Sequence, residues 1–151
     1  MPYLMAACDI YAGPSRLEGF GMTQVEAGAC GKPVIGIKAM GMLDTLVHGQ
    51  TAFLAEVAEE VRITETLQEE EGCEHPHRVV FGRPRTVDYR ASVHDIAEYL
   101  LKLMTDEKLR HSMGEAARKR VVERFDYRVV ARSFMQIVSE RLRIPSNAQQ
   151  K

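Results

Sequence analysis

The chain lacks the features of a secreted or membrane-spanning protein. Its 151 residues include no tryptophan and three cysteines, and no apolar run approaches the ~20 residues that cross a bilayer. An odd number of widely spaced cysteines argues against a disulfide framework and for a reducing compartment. The first residues carry neither a basic region nor a long apolar segment, so they do not form a secretory signal. We therefore expect a cytoplasmic protein with one hydrophobic core.

An excess of charge of either sign is missing as well. The 20 basic and 21 acidic residues give a net charge of −1, so no overall field would attract nucleic acid, and we exclude it as a partner. Basic residues are frequent between positions 118 and 143, where Glu115, Glu123 and Glu140 are interspersed. A solvated helix face explains that pattern best, while a peripheral contact with an acidic membrane surface stays open.

The sequence has little that would bind a metal ion. The segment Cys73–His77 contains one cysteine and two histidines. Zinc normally takes four ligands, and no second pair of cysteine or histidine residues lies nearby in the sequence. A polar loop tip is the better interpretation, and we predict no metal site.

Two glutamates on either side of a glycine-rich turn are the most informative feature of the chain. Glu18 and Glu26 have seven residues between them, and Gly19–Gly21 precedes a stretch with helical periodicity. The first turn of a helix presents unpaired N–H groups that suit a phosphate. Carboxylates repel a phosphate but accept hydrogen bonds from sugar hydroxyls. Hydroxyls, phosphate and hydroxyls in that order describe a nucleotide-sugar, with its hexose, diphosphate and ribose.

The sequence around the two glutamates resembles that of a known family. The segments Pro14–Met22 and Glu26–Ile35 resemble the donor-binding region of retaining glycosyltransferases with the GT-B fold, in particular those of family 4. The resemblance runs from about Ala7 to Ile37 and continues more loosely to about Arg143. It implies the second half of the C-terminal, Rossmann-like domain of a two-domain enzyme.

The resemblance also implies roles for individual residues. Glu18, assigned as catalytic, would bind hydroxyls of the transferred hexose, and Glu26 would bind the ribose hydroxyls. Backbone N–H groups would bind the donor at Gly19, Phe20, Gly21, Met22 and Thr23. Arg16 either faces solvent or pairs with Glu18. Such enzymes transfer the sugar to a sugar, lipid or small-molecule acceptor without an obligatory metal or other cofactor, and no Asp-x-Asp motif is present.

The residue patterns predict an α/β fold. Short apolar runs at 9–12, 34–37 and 52–55 alternate with helical segments, which is typical of a small parallel sheet with flanking helices. We divide the chain into a nucleotide-sugar-binding half of a Rossmann-like domain (1–55), an inserted hairpin or extended excursion (56–91), C-terminal helices of the same domain (92–144) and a disordered tail (145–151).

Three helices are expected in the last third of the chain. Ser92 should cap the first and Thr105 the second. Apolar stripes at helical spacing should face the core. The stripe of the first helix comprises Ile96, Ala97, Leu100, Leu101 and Met104, that of the second Leu109, Met113, Ala116, Ala117 and Val121, and that of the third Val130, Phe134, Ile137 and Val138.

The resemblance leaves part of the enzyme unaccounted for. It implies earlier strands, an upstream Gly and Arg-Lys segment and an acceptor domain that the 151 residues do not contain, so the chain alone should be inactive. Bare apolar faces at Ile10–Ala12 and Val34–Ile37 would then favour self-association. Two alternatives stay open, namely a non-catalytic assembly or regulatory module, and a fragment of a sugar-nucleotide epimerase or phosphorylase.

Overall fold

The computed structural model describes residues 2–68 and 77–142. Along these residues, helices and strands alternate up to β3, and two further strands and three helices follow. In chain order they are α1 (Pro2–Ala7), β1 (Tyr11–Ala12), α2 (Met22–Ala29), β2 (Val34–Ile37), α3 (Met42–Thr45), β3 (Ala52–Ala55), β4 (Val57–Gln68), β5 (His77–Ala91), α4 (Val93–Thr105), α5 (Glu107–Arg124) and α6 (Tyr127–Leu142).

The first three strands form a parallel sheet in the order β1-β2-β3. Tyr11 aligns with Val34, and Val34 aligns with Ala52. Helical segments connect the strands, as parallel neighbours require. This confirms the predicted α/β class, with a small parallel sheet between helices. Strand β1 is shorter than predicted because Asp9 and Ile10 lie outside it.

The core lies on both faces of β2. Val34 and Ile35 are fully buried and point to opposite faces. Val34 packs in a cluster with Ala27 of α2 and Met42 of α3, while Ile35 packs with Leu103 and Met113. The prediction that the apolar face of Val34–Ile37 is left bare was therefore wrong. Flanking helices cover both sides of that strand.

The strands β4 and β5 pair in antiparallel fashion as a separate sheet of 12 and 15 residues. This pairing agrees with the hairpin expected within residues 56–91. The pairing joins Val57 to Ala91 at the base, and the register shifts at three places along the arm. The domain boundaries at 55, 91 and 144 stay predictions, as does the origin of the hairpin as an insertion.

The C-terminal helices correct several expectations. Ser92 caps α4 by accepting a hydrogen bond from the Asp95 N–H at 3.2 Å, as predicted. Asp106, rather than Thr105, caps α5 by accepting from the Leu109 N–H at 2.9 Å. Both residue types are good N-caps, and Thr105 instead ends α4, where its hydroxyl donates to the Leu101 carbonyl.

The stripe of α5 faces the core as predicted, with Met113 and Ala117 buried. In α4 only part of the stripe does so, because Ile96 and Leu100 pack against the cluster around Ile35. Leu101 and Met104 of α4 are exposed, and Leu103 is the buried residue of that helix. Helix α6 has no buried residue, and Phe134 is 63% exposed. A helical period identifies an apolar face, but it does not show that a neighbouring element covers that face.

Some expectations concern residues outside the described ranges. These are the cluster Cys73–Pro76 and the tail 145–151. Within residues 2–68 and 77–142, no helix is long and apolar enough to span a membrane.

Candidate functional site

Gly21 starts helix α2 from a left-handed backbone conformation, with φ at 90°. A side chain there would be strained, and its Cβ would lie 3.2 Å from Oε1 of Gln24 and 3.3 Å from Oγ1 of Thr45. No side chain caps the helix, and its first turn has no acidic residue. The first N–H groups of α2 are therefore left for an external acceptor.

Glu18 lies three residues before Gly21, in the loop that connects β1 to α2. Its side chain is partly exposed, and Oε1 accepts a long hydrogen bond of 3.4 Å from the Phe20 N–H. A carboxylate has room for about four such bonds. Most of its capacity to accept hydrogen bonds is therefore free for a ligand.

Glu26 lies in the second turn of α2 and is exposed. Within the described residues its carboxylate forms neither an ion pair nor a hydrogen bond. The helix N-terminus thus lies between two carboxylates in the sequence, both with free acceptor capacity. The predicted residues 18–26 form the end of the loop after β1 and the first turns of α2.

A second loop packs against the backbone of the Glu18 loop. A Cβ on Gly41 would lie 2.5 Å from the Cα of Phe20 and 2.7 Å from the carbonyl carbon of Gly19. Only glycine permits so close an approach. The preceding residue, Met40, has a positive φ of 52°, and its sulfur lies 3.4 Å from the Glu18 nitrogen. Residues 40–41 therefore hold one side of the Glu18 loop.

Arg16 pairs with Asp88 of β5, so the expected alternative of a pair with Glu18 is wrong, while its side chain largely faces solvent. Its Nε donates to Oδ1 of Asp88 at 2.7 Å, and the second guanidinium nitrogen donates to Oδ2. These hydrogen bonds hold the pKa of Asp88 below its usual value, although partial burial opposes that shift. The same pairing raises the pKa of Arg16.

Sequence reasoning missed two residues that position the start of α2. Gln24 is fully buried; its Nε2 donates to the Gly13 carbonyl at 3.0 Å, and its Oε1 accepts from the Thr23 hydroxyl at 3.0 Å. The rings of Phe125 and Phe20 pack edge to face, with their centroids 5.8 Å apart. A glutamine on a helix and a phenylalanine between two helices carry no local signal for these contacts.

A cleft of about 260 Å³ opens beside α5, with Lys119, Arg120 and Arg124 in its wall. Arg120 is engaged there in hydrogen bonds to the carbonyls of Thr45 and Asp44. Within the described part of the chain, no group of three histidine, cysteine or acidic residues could hold a metal ion.

Comparison with known proteins identifies the family. The sequence profile of the glycosyl transferases group 1 family matches residues 1–82, and the chain belongs to that family. It is 30% identical over 122 residues to the capsular polysaccharide biosynthesis glycosyltransferase CapM of Staphylococcus aureus, covering 81% of this chain and 23% of CapM. It is 27% identical over 144 residues to N-acetyl-alpha-D-glucosaminyl L-malate synthase of Bacillus anthracis, covering 95% of this chain and 29% of that enzyme. The chain thus spans about a quarter of the length of these relatives.

Solved structures show the same fold. HepE of Anabaena in complex with UDP-glucose superposes with a TM-score of 0.62 at 25% identity, covering 91% of this chain and 29% of HepE. Sucrose-phosphate synthase of Thermosynechococcus elongatus superposes with a TM-score of 0.63 at 20% identity, over 92% of this chain and 27% of that enzyme. The small parallel sheet with its flanking helices is therefore a GT-B-like α/β architecture.

Proposed function

We propose that this chain is the donor-binding portion of a retaining, family 4 glycosyltransferase that transfers a hexose from a nucleotide diphosphate-sugar. It would correspond to the second half of the C-terminal domain. The observation that carries the proposal is the uncapped N-terminus of α2, which follows Gly21 and lies between the carboxylates of Glu18 and Glu26. The solved complex of HepE with UDP-glucose supports a donor of this class.

Each part of the site fits one part of the donor. The N–H groups of Gly21, Met22 and Thr23 would bind the diphosphate, where the helix dipole also favours negative charge. Glu18, with the backbone of Gly19 and Phe20, would bind the hexose hydroxyls. Glu26, on the other side of the helix start, would bind the ribose hydroxyls.

The protein's chemical task in this reaction is positioning and charge stabilisation. The acceptor hydroxyl oxygen bonds to the anomeric carbon on the face from which the diphosphate leaves. The bond from that carbon to the diphosphate breaks, and its electron pair leaves with the phosphate oxygen. The acceptor proton passes to the departing diphosphate. The helix N-terminus would stabilise the negative charge that grows there, without an obligatory metal.

The acceptor site would lie in another part of the enzyme, so the chain alone should bind donor without transferring the sugar. Binding is therefore the property to test. Isothermal titration with UDP-, GDP- and ADP-glucose would identify the base. The corresponding diphosphate without sugar would serve as the second ligand, with and without EDTA.

Two substitutions separate the proposed roles of the carboxylates. Glu26→Ala should weaken the nucleotide-sugar and the free nucleotide equally, by about tenfold or more, because a charge-assisted bond contributes about 1.5–3 kcal/mol. Glu18→Ala should weaken the nucleotide-sugar and leave the free nucleotide unchanged. Glu115→Ala, at an exposed acid of α5, is the matched control. Absence of binding to every nucleotide, or equal effects of all three substitutions, would refute the proposal.

A further inference from the structure

We propose that the base of the β4–β5 hairpin is a clamp that positions the donor loop, with Asp88 as its positioning residue. The donor loop here means residues 14–20, between β1 and α2. This inference rests on the proposed function, which assigns the loop to the donor site. It also assigns a role to the hairpin, which the sequence indicates only as an inserted hairpin or extended excursion.

Asp88 differs from the other residues of the hairpin in its burial. Within the described side chains of β4 and β5, this aspartate alone is buried. Its side chain is 8% exposed, whereas that of its partner Arg16 is 70% exposed. A carboxylate is rarely the buried residue of a surface hairpin unless its charge is paired. Both of its oxygens accept from Arg16, and Arg90 approaches Oδ2 at 3.5 Å.

A backbone contact adds to the ion pair. The N–H of Tyr89 donates to the carbonyl of Arg16 at 2.8 Å. Side chain and main chain of the same loop residue are thus both held by adjacent residues of β5. Arg16 lies two residues before Glu18, so the Cα atoms of the two residues are at most about 7 Å apart.

The hairpin base is itself fixed to the sheet. The Ser92 N–H donates to the Glu56 carbonyl at 2.8 Å, and the Glu56 N–H donates to Oδ2 of Asp95 at 2.9 Å. Tyr89 and Ala91 pack against the hydrophobic cluster that contains Val34. The residues of the clamp are therefore held in place by the core, and they hold the donor loop in turn.

The donor loop is consequently held from two sides. Residues 40–41 contact its backbone around Gly19, and residues 88–89 hold it at Arg16. Residues 14–20 form no helix or strand. Without the second attachment, the Glu18 carboxylate would sample more positions, and binding of the sugar would lose the advantage of a preformed site.

The test compares two ion pairs that involve residues of β5, one at the base of the hairpin and one further out. Asp88→Asn removes the charge at the base, and Arg78→Gln removes the exposed pair of Arg78 with Glu65 further out. Asp88→Asn should weaken nucleotide-sugar binding by roughly three- to tenfold and leave the free nucleotide nearly unchanged. Arg78→Gln should change neither affinity. Asp88→Glu, which keeps a carboxylate, should recover most of the loss.

Coupling to Glu18 distinguishes positioning from general stability. If Asp88 acts through Glu18, Asp88→Asn should cause no further loss in the Glu18→Ala background. Additive losses, or equal losses for nucleotide-sugar and free nucleotide, would overturn the clamp.

Amide hydrogen exchange tests the clamp without a ligand. In Asp88→Asn the N–H groups of Tyr89 and of residues 17–20 should exchange about tenfold faster, and in Arg78→Gln at the wild-type rate. Unchanged exchange in Asp88→Asn would overturn the clamp even if nucleotides bind. Absence of nucleotide binding by the wild-type chain would refute the proposed function, and the exchange rates would still decide on the clamp.

Discussion

The parallel sheet and the β4–β5 hairpin are held together by different interactions. In the sheet, the residues of β2 and β3 are all buried and pack against helices on both sides. In the hairpin, long strands pair mainly with each other, and the side chains of the arm form exposed ion pairs such as Glu65–Arg78 and Glu60–Arg62. The first region depends on apolar burial and the second on its backbone ladder.

This difference shows where a substitution should matter. Exposed ion pairs contribute little to stability, so the arm of the hairpin should tolerate change. Asp88 is the exception, because it is buried at the point where the hairpin meets the donor loop. The hairpin therefore affects the candidate site through its base rather than through its arm.

The largest expected effect is on the stability of the sheet. Ile35→Ala should lower the free energy of unfolding by about 2–5 kcal/mol, because it leaves a cavity between β2 and α4. Val80→Ala on the hairpin, where the side chain is 67% exposed, should cost less than about 0.5 kcal/mol. Urea denaturation measures both. Equal losses would contradict the contrast between the two regions.

A methyl group on Gly41 should have the next largest effect. Gly41→Ala forces the loop at 40–41 away from Gly19 and Phe20, and overpacking of this kind costs about 1–3 kcal/mol. Nucleotide-sugar affinity should fall with it, because the donor loop moves. Gly82→Ala is the matched control, since a Cβ there meets open space. A wild-type affinity in Gly41→Ala would show that residues 40–41 do not position the loop.

A smaller effect should follow from the acidity of Asp88. Its pKa in the folded chain lies below the ordinary 3.8, chiefly because of the hydrogen bonds from Arg16. The ion pair therefore stabilises the fold fully above pH 3.8, and this contribution is lost as the pH falls through the lower folded pKa. The stability difference between wild type and Asp88→Asn should be constant from about pH 6 to 5 and shrink below 3.8. A difference that grows on acidification would contradict the assignment.

We also expect the chain to self-associate through its exposed apolar surfaces. Strand β1 lies at an edge of the three-stranded sheet, and Phe134 lies in the exposed stripe of α6. Light scattering at tens of micromolar should show a dimer or larger species. Ala12→Lys should favour the monomer if the edge forms the interface, and Phe134→Lys if α6 does. A wild-type monomer would contradict the prediction.

The sheet was predictable because its signals are local. The short apolar runs at 34–37 and 52–55 and the glycine-rich turn at 19–21 predict two strands and a helix start from residues that are close in sequence. The start of α2 is equally local, because Gly21 must adopt a positive φ there. These features depend on residues close in sequence.

The contacts that position the donor loop could not be predicted in this way. Arg16 and Asp88 are 72 residues apart in the sequence. The residues around either position give no indication that the two side chains pair. The choice of Leu103 over Leu101 and Met104 as the buried residue of α4 depends on how that helix crosses the sheet. Local patterns predict the elements, whereas packing between distant elements decides which side chains meet.

Amide chemical shifts of the isotope-labelled chain, recorded during titration with UDP-glucose, test the central claim most directly. We expect the largest changes at Glu18–Gln24, where the helix N-terminus follows the donor loop. Free UDP should reproduce the changes at residues 21–26 and omit those at Glu18 and Gly19. Shifts centred instead on Lys119 and Arg124 in the cleft beside α5, or no shifts with any of the three nucleotide-sugars, would contradict a donor site at the start of α2.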